Sequence, residues 1–164
     1  RARLEALHPA AWTWALHCCR GDAEEGGDVL QASYLAVLEG KASFGGRSTF
    51  RTWFFGVIRR TAAGRRRTRW LRELLLRRES AGWSAAAAPE ADRRVESADR
   101  NRVLESALAT LSERQRSVLE LVFRHDLTVE EAAVVLGVTV GTARTHYARG
   151  KARLAALLED SELR

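Results

Sequence analysis

The sequence predicts an all-α protein made of two small helical domains joined by a linker. Apolar residues recur at three- and four-residue intervals along most of the chain. β-Branched residues are sparse, and the alternating runs that a strand needs are absent. At residues 80–92, SAGWSAAAAPEAD, small residues with Gly82 and Pro89 replace the helical pattern. That stretch reads as a linker, with scope for helix in its Ala run, between domains at 1–79 and 93–164. A chain of 164 residues is long enough for two small cores of this kind.

Pro9 can start a first helix, and Ala10 to Cys19 follows with Trp12 and Leu16 four apart. Gly21, Gly26 and Gly27 mark a break, after which Asp28 is the expected start of a second helix. Its Val29, Leu30, Tyr34, Leu35, Val37 and Leu38 cover more than one face, enough for a core and for a partner, and Gly40 ends it. Lys41 to Arg47, KASFGGR, reads as a loop carrying an aromatic ring, Phe44. Ser48 is the expected cap of a third helix. Phe50, Trp53, Phe54, Val57 and Ile58 then form one stripe, read as core, and Trp70, Leu71, Leu74 and Leu75 continue an apolar edge. In the second domain Val103, Leu104, Ala107, Leu108 and Leu111 make a helix. Ser112 with Gln115 is a capping box, and Val118, Leu119, Val122 and Phe123 are the expected core face behind it. Thr128 with Glu131 is a second capping box, opening a short helix with Ala132, Ala133 and Leu136 inward and Gly137 at its end.

The net charge is +6, and one segment carries all the excess: Arg59 to Arg78 holds nine Arg against Glu73. Nine guanidinium groups in twenty residues repel one another, so a polyanionic partner is favoured over a merely solvated helix face. The two cysteines, Cys18 and Cys19, are adjacent and point apart on a helix, so they read as buried thiols. No metal-ligand cluster, nucleophile–base pair or paired carboxylate emerges, so no catalytic residue, metal or cofactor is expected and the protein is not read as an enzyme. No apolar run approaches the ~20 residues of a membrane helix. Arg1 to Leu7 lacks a signal-peptide layout. The expected location is cytoplasmic, without membrane insertion. With no Met in the sequence, the native N-terminus is expected upstream of Arg1.

From Leu127 the chain reads LTVEEAAVVLGVTVGTARTHYARGK. A capped helix ends at Gly137, and another begins three residues on with Thr139 as its cap and Val140, Ala143 and Tyr147 inward. This is a helix-turn-helix layout, with a plain helical hairpin as the alternative. Small Ala132 and Ala133 permit a close crossing, Gly137 the tight turn, and Val138 fills the space between the helices. Arg144, Thr145, His146, Ala148, Arg149 and Lys151 face wholly or partly outward, where a recognition helix meets the major groove. Arg reads guanine, Thr and Ala touch a thymine methyl, and Thr139, Thr142 and Lys151 suit phosphates.

LSERQRSVLELVFRHDLTVEEAAVVLGVTVGTARTHYARGKARLAALL resembles region 4 of the sigma-70 family, specifically the small two-domain extracytoplasmic-function (ECF) sigma factors. GDAEEGGDVLQASYLAVLEG resembles region 2.2, with Asp28 and Gln31 on the family's Asp-x-x-Gln signature. STFRTWFFGVIRR resembles regions 2.3 to 2.4, with Trp53, Ile58 and Arg59 on matching positions. The chain departs from the family pattern at Arg60, where Asn is frequent, at Gly64, where Asp is, and at Gly26–Gly27, where Ala-Glu is usual. The resemblance implies transcription initiation with core RNA polymerase and promoter DNA as partners. The β′ clamp would meet Asp28, Gln31, Tyr34 and Leu35, and the β flap is a second expected contact. Phe44 and Arg47 would lie in a loop that traps a flipped base of the −10 element, and Arg51, Trp53, Arg59, Arg60 and Arg66 would hold the melted strand. Thr139, Thr142, Arg144, Thr145, His146, Ala148, Arg149 and Lys151 would bind the −35 element as duplex. An anti-sigma factor is an implied further partner. The competing reading is a free-standing helix-turn-helix regulator with an N-terminal partner- or effector-binding domain, which would bind duplex promoter DNA without core polymerase.

Overall fold

The computed structural model describes residues 2–79, 108 and 110–162. Among these residues there are six α-helices and no strand: α1 (Ala2–Cys18), α2 (Ala23–Leu38), α3 (Phe50–Glu79), α4 (Glu113–Leu119), α5 (Val129–Leu136) and α6 (Val140–Glu162), with a π-helical turn, Glu120–Arg124, directly after α4. The linker expected at 80–92 and most of the helix expected over Val103 to Leu111 lie outside the described residues. The chain divides into two compact units, one of Arg1–Gly45 with Val57–Arg93 and one of Gly46–Gly56 with Arg94–Arg164.

In the first unit α1 packs against α2. α1 starts at Ala2, not at Pro9, which sits inside it. Pro9 forfeits one backbone donor, but Leu4, Ala11, Trp14, Ala15 and Cys18 make a continuous buried face that holds both sides of it in one helix. Arg20 (φ 58°) and Gly21 (φ 87°) then turn the chain through left-handed backbone, with the Gly21 N–H closing on the Leu16 carbonyl at 2.8 Å. Asp22, not Asp28, starts α2: its carboxylate accepts from the Glu25 N–H at 3.0 Å. The helix therefore runs straight through Gly26 and Gly27. Gly26 is buried, and a Cβ there would come within 3.2 Å of Leu16 Cδ2 and 3.6 Å of Leu16 Cα. The glycine that reads as a break is thus a point of close approach of α2 to α1. Cys18 and Cys19 are buried free thiols, as expected, and burial, aided by Glu25 and Asp22, pushes Cys19 up to about 11.

Thr49, one residue beyond the expected Ser48, caps α3 by accepting from the Thr52 N–H at 3.1 Å. Phe54, Val57 and Ile58 are buried as the stripe requires, Phe50 and Trp53 only half so. Thr52 and Phe55 are buried as well. The apolar edge further along, Trp70, Leu71, Leu74 and Leu75, is solvent-exposed.

In the second unit both capping boxes are formed: Ser112 with Gln115, and Thr128 with Glu131. The expected core face after Ser112 is corrected at its far end. Val118 and Leu119 are buried, but the π-helical turn carries an extra residue, which rotates the side chains that follow. Leu121 is fully buried instead, and Phe123 is 61 % exposed, stacked on Tyr147 with ring centres 6.0 Å apart. α6 lies against α4 at Gly150, where a Cβ would approach Leu119 Cδ1 to 2.9 Å and Gln115 Cβ to 3.3 Å. Replacing Gly150 by Leu, a good helix former, isolates the steric term. Gly150→Leu is expected to lower stability by about 1–3 kcal/mol in urea unfolding, whereas Gly150→Ala, which regains about 1 kcal/mol of helix propensity, is expected to be near neutral.

Candidate nucleic-acid and polymerase interfaces

The helix-turn-helix forms as the residues require. Gly137 ends α5 in left-handed backbone (φ 61°, ψ 39°), with its N–H on the Val134 carbonyl and that of Val138 on the Ala133 carbonyl. Ala132 and Ala133 are buried beneath the crossing, and Ala143 is the buried contact of α6. Thr139 caps α6: its hydroxyl oxygen accepts from the Thr142 N–H at 3.2 Å and lies 2.9 Å from Thr142 Oγ1. The inner stripe is completed by Gly150, seven residues beyond Ala143. Val140, expected inward, is instead exposed, since it stands in the first turn of α6, ahead of the buried Ala143.

The opposite face of α6 is open. Arg144, Thr145, Ala148, Arg149 and Lys151 are exposed, and His146 and Thr142 half-buried. Thr145, Ala148 and Arg149 stand three and four residues apart and so share one face. Thr145 donates its hydroxyl to the Gly141 carbonyl at 2.9 Å, which holds its rotamer. Arg144 is not free: its Nη2 lies 2.7 Å from Glu130 Oε1 on α5, a hydrogen bond that holds the Glu130 carboxyl below its ordinary range.

On α2, Asp28, Gln31 and Leu35 are all exposed and, at i, i+3 and i+7, form one stripe. Leu38, 65 % exposed, extends it. Tyr34 stands beside this stripe, its hydroxyl 2.9 Å from His8 Nδ1 and burial raising its pKa. Gln31 and Tyr34 line a cleft of about 440 Å³ with His8, Trp12, Gly27 and Leu30, so two of the four expected polymerase contacts share one cleft, with Asp28 and Leu35 on the helix stripe beside it. Asp28 is engaged, with Arg65 Nη2 at 2.5 Å from its Oδ2.

The residues expected at the melted strand are more dispersed. Phe44, 39 % exposed, and Arg47 lie in the loop before α3. Arg51 lies over the Phe55 ring at 5.7 Å, with its Nε buried and no hydrogen-bond partner for that atom among the described residues. Trp53 is tilted against Phe50 with centroids 5.3 Å apart. Arg59 is half-buried and Arg60 exposed. Arg66 is turned toward α1, donating to the Cys18 carbonyl at 3.4 Å, where a cation also meets the negative end of that helix. Sequence reasoning did not single out Arg65, Arg69 and Arg72, which line a separate cleft with Glu25, Thr61, Gly64 and Thr68. Their i, i+4, i+7 spacing was the available signal. Among the described residues no group of three His, Cys, Asp or Glu could hold a metal, and no helix is long and apolar enough to cross a membrane.

Comparison with known proteins agrees along the chain. Residues 4–72 match the family "Sigma-70 region 2" and residues 101–154 match "Sigma-70, region 4". The chain is 28 % identical over 157 residues to the ECF RNA polymerase sigma factor SigL of Mycobacterium tuberculosis, covering 94 % of this chain and 86 % of that protein. It is 27 % identical over 163 residues to SigC of the same species, covering 99 % and 84 %. Among solved structures it is similar in fold to the sigma factor RpoE of Bartonella quintana in complex with the anti-sigma factor NepR (TM-score 0.70, 24 % identity, 96 % of this chain and 95 % of that one). It is likewise similar to CnrH in complex with the cytosolic domain of CnrY (TM-score 0.61, 24 % identity, 97 % and 87 %). With both sigma regions matched in order along the chain, and with relatives named as ECF sigma factors aligned over nearly its whole length, the chain belongs to the sigma-70 family and is of its ECF type.

Proposed function

We propose that this chain binds core RNA polymerase through the Asp28, Gln31, Tyr34 and Leu35 surface of α2 and directs it to promoters by reading two elements in two DNA states. α6 reads the −35 element as duplex, with Thr145, Ala148 and Arg149 on base edges and Thr139, Thr142 and Lys151 on phosphates. The loop carrying Phe44 and Arg47, with Arg51, Trp53, Arg59 and Arg60, receives the opened −10 strand, where an aromatic face and guanidinium groups suit an unstacked base and its backbone. The observation that carries the reading is the open face of α6, whose Arg149 side is exposed while Ala143 and Gly150 are buried behind it. Bond formation belongs to the polymerase, and the chain supplies recognition. An anti-sigma factor that covers these exposed surfaces would hold it inactive.

Run-off transcription from a promoter template with purified core polymerase tests the assignment. A duplex shift without a polymerase complex or a transcript would make the protein a free-standing regulator. At residue level, Asp28→Lys with Gln31→Ala is expected to weaken core-polymerase binding at least about tenfold, ~1.4 kcal/mol, while leaving affinity for −35 duplex unchanged. Equal losses in both assays would contradict the division of labour.

A further inference from the structure

α2 and α3 are laced by two ion pairs of unequal character. Arg69 Nη1 lies 3.0 Å from Glu25 Oε2, a carboxylate only 9 % exposed. One turn earlier on α3, Arg65 Nη2 lies 2.5 Å from Asp28 Oδ2, and here both side chains are open, 42 % and 54 % exposed. Arg72 continues the same stripe. The three arginines line a cleft of about 460 Å³ with the hydroxyls of Thr61 and Thr68 and with Gly64, which adds no side chain to fill it. Seven residues of helix span ~10 Å, and a nucleic-acid strand in a duplex places one charge per ~3.4 Å of axis, so the stripe matches two or three phosphates. Arg59 and Arg60 lie roughly 120° and 140° from Arg65 around the helix, on either side, so the cleft occupies a different face of α3 from those two arginines of the surface assigned to the −10 strand.

We propose that the cleft of Arg65, Arg69 and Arg72 is a nucleic-acid phosphate site, and that Asp28 is its removable clasp. Glu25 is buried and keeps Arg69 in place. Asp28 is exposed, and an exposed pair contributes little to the fold, so exchanging its partner is easy. The inference rests on the reading of Asp28 as a polymerase contact. When the polymerase takes the Asp28 carboxylate, the Arg65 guanidinium is left without its anion beside two other arginines, and a DNA phosphate replaces it. Polymerase binding and DNA grip are then coupled through one arginine, and the free protein holds DNA less firmly than the assembled one.

The test uses the full chain and an oligo-dT strand, with affinity measured across a salt series. Asp28→Asn is expected to bind several-fold more tightly than the wild type, with a log K against log salt slope steeper by about 0.7, one more phosphate contact on a single strand. Glu24→Gln removes the same charge from the same helix without freeing an arginine, and is expected to leave the slope unchanged. Arg65→Gln is expected to have little effect alone but to abolish the gain in the Asp28→Asn background. Arg72→Gln is expected to weaken binding in both backgrounds. Because the pair is exposed, none of these variants threatens folding, which circular dichroism verifies. Additive effects of Asp28→Asn and Arg65→Gln, or an equal slope change with Glu24→Gln, would overturn the clasp even if Asp28→Asn also loses core-polymerase affinity. If Asp28→Asn leaves core-polymerase affinity intact, Asp28 is not a polymerase contact, and the exchange falls with that reading.

Discussion

Acidifying the protein from neutral pH to about pH 4 is expected to lower its stability by about 3 kcal/mol through His125 alone. His125 is 3 % exposed, with its ring edge-on to Phe55 at 4.9 Å between centroids. Burial pushes its pKa down to about 4, helped by the positive charges of Arg51 and Arg124 and opposed by Asp126. The folded ring is therefore neutral where the unfolded ring, near 6.5, already binds a proton. Between those two values the unfolded state holds more protons, so stability is fully present above about pH 6.5 and falls as pH drops toward 4. Glu120, whose Oε1 is 4.0 Å from His125 Nε2, has a pKa raised by burial and pulled back by Arg124. Over the range where it titrates, the folded state binds more protons at Glu120 than the unfolded state does, which trims the loss. Urea unfolding across this range should show the wild-type midpoint falling more steeply than that of His125→Gln. Parallel curves would show that the buried ring does not carry the pH dependence.

His125 could not have been picked out from the sequence, because its environment is built by residues far along the chain, Phe55 and Arg51. The same distinction separates what was legible from what was not. The capping boxes at Ser112 and Thr128, the Gly137 turn and the Thr139 cap are local chemistry, complete within four residues, and the structure shows each of them. The outward face of α6 followed from periodicity alone. The start of α2 did not, because glycine propensity argues for a break at Gly26, and only the close approach to Leu16 explains a helix there. Pro9 misled in the same way, since the buried face of α1 on both sides of it outweighs one lost backbone donor. Leu121 and Phe123 exchanged roles because a π-helical turn changes the period on which the stripe was counted. The Asp28–Arg65 pair, 37 residues apart, needed the packing of α3 on α2 to become visible.

Arg149→Ala is expected to cost about 1–3 kcal/mol of −35 recognition, roughly a 5- to 150-fold loss of duplex affinity, with core-polymerase binding intact. Arg149 is exposed on the outward face of α6, and among the described residues no ion pair holds it. Its fork is free to pair with the two acceptors of a guanine edge. Arg144 is the internal comparison. It is engaged with Glu130, and must leave that carboxylate before it reaches DNA, so Arg144→Ala is expected to cost less than Arg149→Ala. Lys151→Ala should weaken binding to all sequences alike and reduce the salt slope by about 1, the signature of a phosphate contact. Binding of each variant to a panel of −35 duplexes with single base changes separates the two roles. A base-reading Arg149 loses discrimination at one position when truncated. A uniform loss across the panel, with a shallower salt slope, would move Arg149 to the backbone and leave Thr145 and Ala148 as the residues that read sequence.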